Sequence, residues 1–401
     1  MPPEKAPPAA LSHLRVIDLS TRIAGSYATK FLADFGAEVI KIERPIAGAP
    51  ERQAGPFKDD HIDSEASGQH LFLNTNKKSV TLNVSTITGG EILKSLVKEA
   101  DVLVETYTPG ALAAWGVSFD DLEAANPDLI IASITDYGQA GPYKDYKATD
   151  LLHWASSSLL SGGGLPGREP LRAGEDVAEH MAGLYGAGTI LGAVFGRGQY
   201  GAQRIDISIR EAFITALANP TLGLFYRSTP QGRRGNKFPM PIVECKDGYI
   251  GFYVMLQHQW EYLTVLTDKV WMQEDERFAT PLARNMNPDA AMAVLGPWFK
   301  ERTVDEVVKL GQEMRVPMAP VASADRVARN PQYRARGFFA DVGSERTGKV
   351  EAPGRPFNLN STPWHIRRKA PRLGEDNEEI YCNRLGFSRE EMVILSEQGV
   401  L

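Results

Sequence analysis

The sequence predicts an α/β protein of two domains, and three observations lead there. Its 401 residues exceed what one hydrophobic core usually serves. Through the first half, short aliphatic and β-branched runs alternate with helix-period stretches, the pattern of βαβ units in a parallel sheet. After about residue 235 the texture changes to hairpin signals and separate amphipathic helices, which suits a smaller α+β domain.

Residues 14–19 read as the first strand. A small-residue turn at Ala24-Gly25-Ser26 follows, then a helix with Tyr27, Phe31, Leu32 and Phe35 at helical spacing and Gly36 as its stop. Residues 39–42 supply the next strand and complete one βαβ unit. The span 46–68 is rich in Pro, Gly and charge and reads as a surface loop, after which Leu71-Phe72-Leu73 and Val80-Thr81-Leu82 are expected as short strands. A helix over 90–99, a strand over 102–105, a helix from Gly110 and a buried strand over 129–134 continue the alternation. Residues 156–174 are dense in Ser, Gly and Pro and read as a loop, followed by a helix to about Gly196 and a strand over 204–209. A loop with Arg233-Arg234-Gly235-Asn236 leads to a hairpin over 242–252 that turns at Lys246-Asp247-Gly248. Helices over 260–266 and 304–313, a Pro-rich stretch over 353–363 and a closing helix from Arg389 complete the chain.

Composition narrows the function. A net charge of -6 argues against a nucleic-acid partner, which would need clustered Lys and Arg. Cys245 and Cys382 have neither CxxC spacing nor neighbouring His, so no metal site is expected, and they read as buried small hydrophobes in a reducing compartment. The start Met1-Pro2-Pro3-Glu4 lacks the apolar run of a signal peptide, and no stretch is long enough to span a bilayer. A cytoplasmic protein without a membrane partner is the expectation.

Chemically, residues 170–184 say the most. They deliver Glu179 to the mouth of a Gly/Ala-rich helix that runs on through Gly183, Tyr185, Gly186 and Gly188. A carboxylate there either complements the helix dipole or acts as a nucleophile, and the small residues after it let another backbone or a cofactor come close. The turn at Ala24-Gly25-Ser26 is no GxGxxG, and neither a Walker A lysine nor a nucleophile elbow is present. His153, His180, His258 and His365 show no ligand spacing.

Several ordered blocks resemble family III CoA-transferases, the group of carnitine-CoA-transferase and formyl-CoA transferase. They are Leu14-Arg15-Val16-Ile17-Asp18-Leu19-Ser20 with Ala24-Gly25, Leu32-Ala33-Asp34-Phe35-Gly36-Ala37-Glu38-Val39-Ile40-Lys41-Ile42-Glu43-Arg44-Pro45, and Asn76-Lys77-Lys78-Ser79-Val80. Ala100-Asp101-Val102-Leu103-Val104-Glu105 with Pro109-Gly110, then Gly201-Ala202-Gln203-Arg204-Ile205-Asp206-Ile207-Ser208 with Glu211, and Pro371-Arg372-Leu373-Gly374-Glu375 with Glu378-Glu379 continue the likeness.

The resemblance implies a large Rossmann-like, CoA-binding domain from both chain ends (1–225 with 326–401), a small α+β domain (226–325), and two subunits interlocked like rings. It also implies a nucleophilic aspartate in the segment of residues 170–184, at the position of Glu179. That carboxylate attacks an acyl-CoA thioester to give a mixed anhydride, CoA thiolate converts it to an enzyme thioester, and an acceptor acid reverses the cycle. The extra methylene of Glu179 displaces the attacking oxygen by about an ångström, a shift that can cost on the order of 10²-fold unless the pocket is reshaped. Asp176, one turn earlier, is a competing candidate.

Ala24, Arg44, Leu82, Thr106, Tyr107 and Lys147 are the positions that the resemblance sets beside CoA, the only cofactor expected and present as acyl-CoA substrate. Three handles have drifted, with Ile23 for a glutamine, Thr106 for an asparagine and Ala114 for an arginine. Thr149 stands where the racemase branch has a histidine and is too weak a base for acyl-CoA racemization. The expected function is CoA transfer from an acyl-CoA to a free carboxylic acid. The alternative is a non-catalytic subunit paired with an aspartate-bearing paralogue, so the assembly is expected as a homodimer or such a heteromer.

Overall fold

A computed structural model describes residues 9–228, 232–233 and 235–401; the proline-rich start and Arg234 of the expected loop lie outside the described residues. Contacts divide the chain into two compact units. The first comprises Met1–Leu160, Arg172–Thr229 and Ala335–Leu401, and the second Ser161–Leu171 and Pro230–Arg334.

The first unit is built on six parallel strands, β1 (Arg15–Leu19), β2 (Glu38–Glu43), β3 (Lys77–Thr81), β4 (Val102–Glu105), β5 (Ile130–Thr135) and β6 (Arg204–Ser208). Their order is β3-β2-β1-β4-β5-β6, the doubly wound arrangement of a Rossmann-like sheet. Strands β4 and β5 are buried at every position, because helices cover both faces. One apolar core joins the sheet to α1 (Ile23–Asp34) through Ala24, Ala28 and Leu32. The other lies against α3 (Ile87–Val97) and the C-terminal helix Arg389–Glu397. The chain reverses direction across the sheet between β1 and β4, so a crevice opens at the C-terminal ends of those two strands.

Three local expectations fail. Ala24-Gly25-Ser26 are not a turn ahead of the helix but the first turn of α1 itself, which begins directly after Arg22. Residues 71–73 are not a strand but the end of α2 (Gly68–Leu73), which starts because the Ser67 hydroxyl accepts the His70 N–H at 3.2 Å. The expected loop over 156–174 contains a helical turn, Leu159–Gly162. Cys245 is buried as expected, but Cys382 is only half-buried; both are free thiols.

In the second unit, Ile242–Cys245 and Gly248–Phe252 form the expected hairpin, and Met318–Pro320 adds a third antiparallel strand. Its core gathers Trp260, Leu263, Phe278 and Phe299 from the surrounding helices. No helix among the described residues is long and apolar enough to cross a membrane.

Candidate active site

Glu179 lies in the first turn of the long helix Val177–Tyr200, and its neighbours explain why the carboxylate is buried there. Asp150, the first residue of the helix Asp150–Ser156, accepts the Ala178 N–H at 2.8 Å and so caps the long helix from outside. Asp176 occupies the N-cap position and makes no side-chain cap; its carbonyl oxygen lies 2.8 Å from His180 Nδ1. The long helix crosses α1 closely because Gly183 has no side chain. A Cβ there would stand 2.7 Å from the Ala24 carbonyl oxygen. The small residues after Glu179 therefore admit a backbone, that of α1.

This crossing sets Glu179, 6% exposed, against the start of α1. Its Oε2 accepts the Ala24 N–H at 3.0 Å, where the helix N-terminus favours negative charge. Its Oε1 accepts from Arg22, through Nε at 2.9 Å and through Nη2. Arg22 also donates through Nη1 to Asp136 Oδ1 at 2.6 Å, and the same oxygen lies 3.0 Å from His153 Nε2. Asp136 Oδ2 takes the Ala148 N–H at 3.0 Å. Burial works against charge on Arg22, yet Glu179 and Asp136 outweigh it and raise its pKa above the ordinary value. Burial likewise opposes charge on Asp136, but His153 and Arg22 hold that carboxyl below the usual range.

Sequence reasoning missed Arg22, Asp136 and His153. The one signal was an arginine just ahead of the small residues Ala24-Gly25-Ser26, where it is the N-cap residue of α1.

Arg22, Asp136, Thr135, Thr106, Tyr107 and Lys147 are among the residues lining a cavity of about 260 Å³. Thr21 and Tyr107 belong both to this cavity and to an open groove of about 890 Å³ lined also by Arg44, Leu82 and Trp115. Both lie where β1 and β4 end. Thr106 helps to shape the join, since its hydroxyl accepts the Thr21 N–H at 2.8 Å. The Tyr107 ring packs edge-on against Trp115 with centroids 5.0 Å apart, and burial pushes its hydroxyl up to about 12.

Of the expected CoA positions, Arg44, Leu82, Thr106, Tyr107 and Lys147 thus border one or both spaces, whereas Ala24 is fully buried and spends its N–H on Glu179. Ala114 is exposed on the short helix Ala111–Ala114, and Thr149 precedes Asp150 as the N-cap of its helix. Among the described residues no group of three His, Cys, Asp or Glu could hold a metal ion.

A family model described as CoA-transferase family III matches residues 11–377. The chain belongs to CoA-transferase family III. The chain is similar to a succinate–glutarate CoA-transferase of Agrobacterium fabrum, 30% identical over 94% of this chain and 96% of that protein. A succinyl-CoA–L-malate CoA-transferase alpha subunit of Chloroflexus aurantiacus is 31% identical over 98% of this chain and 92% of its own length. Among solved structures, a CAIB/BAIF family protein from Brucella suis superposes with a TM-score of 0.84 at 29% identity, covering 94% of this chain and 99% of that one. This family III chain therefore has the mixed α/β fold of its relatives, with the six-stranded parallel sheet as the element that positions the site.

Proposed function

We propose that this chain moves CoA from an acyl-CoA donor to a free carboxylic acid, with Glu179 as the nucleophile. The observation that carries the reading is a buried carboxylate at the meeting of two helix N-termini. Arg22, which holds it, also lines the cavity that joins the groove at the β1/β4 crevice. The groove has the size, the cation Arg44 and the apolar wall Leu82 that a CoA nucleotide needs, and Tyr107 and Lys147 stand on the way inward.

Glu179 Oε2 has one donor, the Ala24 N–H, and retains a lone pair for attack on the thioester carbon. Attack forms the C–O bond of a mixed anhydride and breaks the C–S bond, expelling CoA thiolate. The thiolate then attacks the Glu179 carbonyl carbon, releases the donor's acid as a carboxylate and leaves a thioester on Glu179. During that step charge gathers on Oε1, where the Arg22 Nε and Nη2 donors already point. The acceptor carboxylate repeats the two steps in reverse. No proton is exchanged with the protein, so no general base is required, which accords with Thr149 at the position of the racemase base.

The second reading, a non-catalytic subunit beside an aspartate-bearing paralogue, is favoured by one feature: both Glu179 oxygens are occupied. An alpha subunit among the relatives is in line with it. Under either reading the assembly we propose contains two interlocked chains.

The deciding experiment incubates the purified chain with acyl-CoA and hydroxylamine and maps the peptide carrying Glu179 by mass spectrometry. A hydroxamate on Glu179, absent in Glu179→Gln, supports the enzyme. Exchange that appears only after addition of the paralogue, with Glu179 unlabelled, supports the subunit.

A further inference from the structure

The transfer cycle conserves one negative charge but moves it. At rest the charge is on Glu179; in the mixed anhydride it is on the CoA thiolate, and once Glu179 carries the CoA thioester its carbonyl is neutral and the charge sits on the free acid. Arg22 is the cation fixed beside both positions. Its Nη1 side stays paired with Asp136, while Nε and Nη2, the edge that matches a carboxylate in bidentate fashion, hold Glu179 Oε1. The side chain is 23% exposed and lines the 260 Å³ cavity, so a small acid reaches it from there.

An independent observation points to a ligand in the same place. Thr135, at the end of β5, is 5% exposed and lines this cavity, and its Oγ1 has no hydrogen-bond partner among the described residues. A buried hydroxyl without a partner costs free energy that a bound acceptor recovers. Lys144 and Lys147 on the wall of the cavity add positive charge, and the one carboxylate among the described residues lining it, Asp136, is already paired with Arg22 and lies 3.0 Å from His153 Nε2.

We infer that Arg22 and Thr135 form the carboxylate subsite of the acid substrate: Arg22 exchanges the Glu179 carboxylate for that of the departing or incoming acid, and Thr135 Oγ1 donates to it. The inference rests on the transfer reading given above for the meaning of the acid. No bond other than hydrogen bonds and ion pairs forms or breaks in the exchange.

The test needs neither CoA nor turnover. Glu179→Gln gives Arg22 the neutral neighbour it has in the enzyme thioester, and succinate binding is measured by titration calorimetry on the full chain with acetate as a second probe. Glu179→Gln is expected to bind succinate at least tenfold more tightly than the unaltered protein. Adding Arg22→Gln should abolish the gain, and adding Thr135→Val should weaken it threefold or more. Equal binding by the unaltered protein and Glu179→Gln overturns the proposal, as does a double variant with Arg22→Gln that binds as tightly as Glu179→Gln alone. Should that double variant not fold, Arg22→Lys in the same background decides, since an ammonium lacks the bidentate edge: threefold weaker binding supports the subsite and unchanged binding refutes it. Carboxylate exchange in a chain that never labels Glu179 would sink the transferase and leave the subsite, whereas labelling without exchange sinks the subsite alone.

Discussion

Gly183→Ala should damage both stability and activity, although alanine is the better helix former. The new methyl carbon would lie 2.7 Å from the Ala24 carbonyl oxygen and 3.1 Å from two carbons of Tyr27. The oxygen is backbone, and the N–H of the same residue holds Glu179, so neither can swing aside. Ordinary contact requires α1 and the long helix to part by roughly 0.7 Å, and overpacking on that scale costs about 1–3 kcal/mol. Helix propensity returns only about 1 kcal/mol. The net expectation is a loss of up to about 2 kcal/mol, and about 1–3 kcal/mol relative to a glycine-to-alanine change that meets no neighbour, read from urea unfolding midpoints at unchanged slope. Gly188→Ala, on the same helix with nothing within 4 Å, supplies the control and should gain a few tenths to about 1 kcal/mol. The separation also stretches the Ala24 N–H to Oε2 contact, and a nucleophile misplaced by this much should lose on the order of 10-fold to 10²-fold in kcat. A Gly183→Ala protein as stable as the Gly188→Ala control would refute the packing account.

Glu105, 2% exposed at the end of β4, is pushed up to about 7 by burial against the opposing Ser133 hydroxyl and Tyr107 N–H. Between about pH 4.5 and 7 the folded protein therefore holds a proton the unfolded chain has lost, so Glu105 makes stability fall as pH rises through that window and the penalty is complete above it, on the order of 3 kcal/mol. Glu105→Gln should remove this slope, and parallel stability-pH curves for the two proteins would contradict it. In the buried cluster below the crevice, Lys77→Met takes from Asp18 a cation at 3.0 Å and leaves Lys41 at 3.8 Å. Stripping one partner from a buried pair costs about 3–5 kcal/mol, and a loss under 1 kcal/mol in the same unfolding assay would show that the Ser20 and Thr29 hydroxyls suffice for Asp18.

The sheet was legible because a strand buried on both faces is a continuous aliphatic run; residues 129–134 and 102–105 have no competing reading. Residues 71–73 failed because three apolar residues carry no period, and the cap at Ser67 was the better signal. The position of Glu179 on a small-residue helix was visible, but its partner was not. Arg22 is 157 residues away, and only the crossing of α1 over the long helix brings the two together. Asp136 and His153 belong to the same class: no local pattern encodes their pairing, which arises because the chain after β5 turns back and sets the helix Asp150–Ser156 against Asp136. Lys41 and Lys77 are likewise fully buried inside strands, where a local pattern gives no sign of the carboxylates that neutralise them.

Glu179 and Arg22 also explain each other. On sequence alone the extra methylene of a glutamate counts as a displacement of the reacting oxygen. In the structure the carboxylate reaches two anchors at once, the Ala24 N–H through one oxygen and the Arg22 fork through the other. A shorter side chain from the same helix position would have to give up one of them. The guanidinium that takes up this reach is shared with Asp136, so two carboxylates divide one cation and neither pair is saturated. That imbalance matters for turnover. Were Arg22 paired with Glu179 alone, releasing the nucleophile would leave a bare buried cation, a state costing several kcal/mol. With Asp136 retained, conversion of Glu179 to its CoA thioester leaves a neutral pair beside Thr135 and the two lysines, and the acid's own charge completes the set. The strength of the Arg22 fork thus sets two things in opposite senses, how firmly the resting nucleophile is held and how well the acid is retained while the nucleophile is covalently occupied.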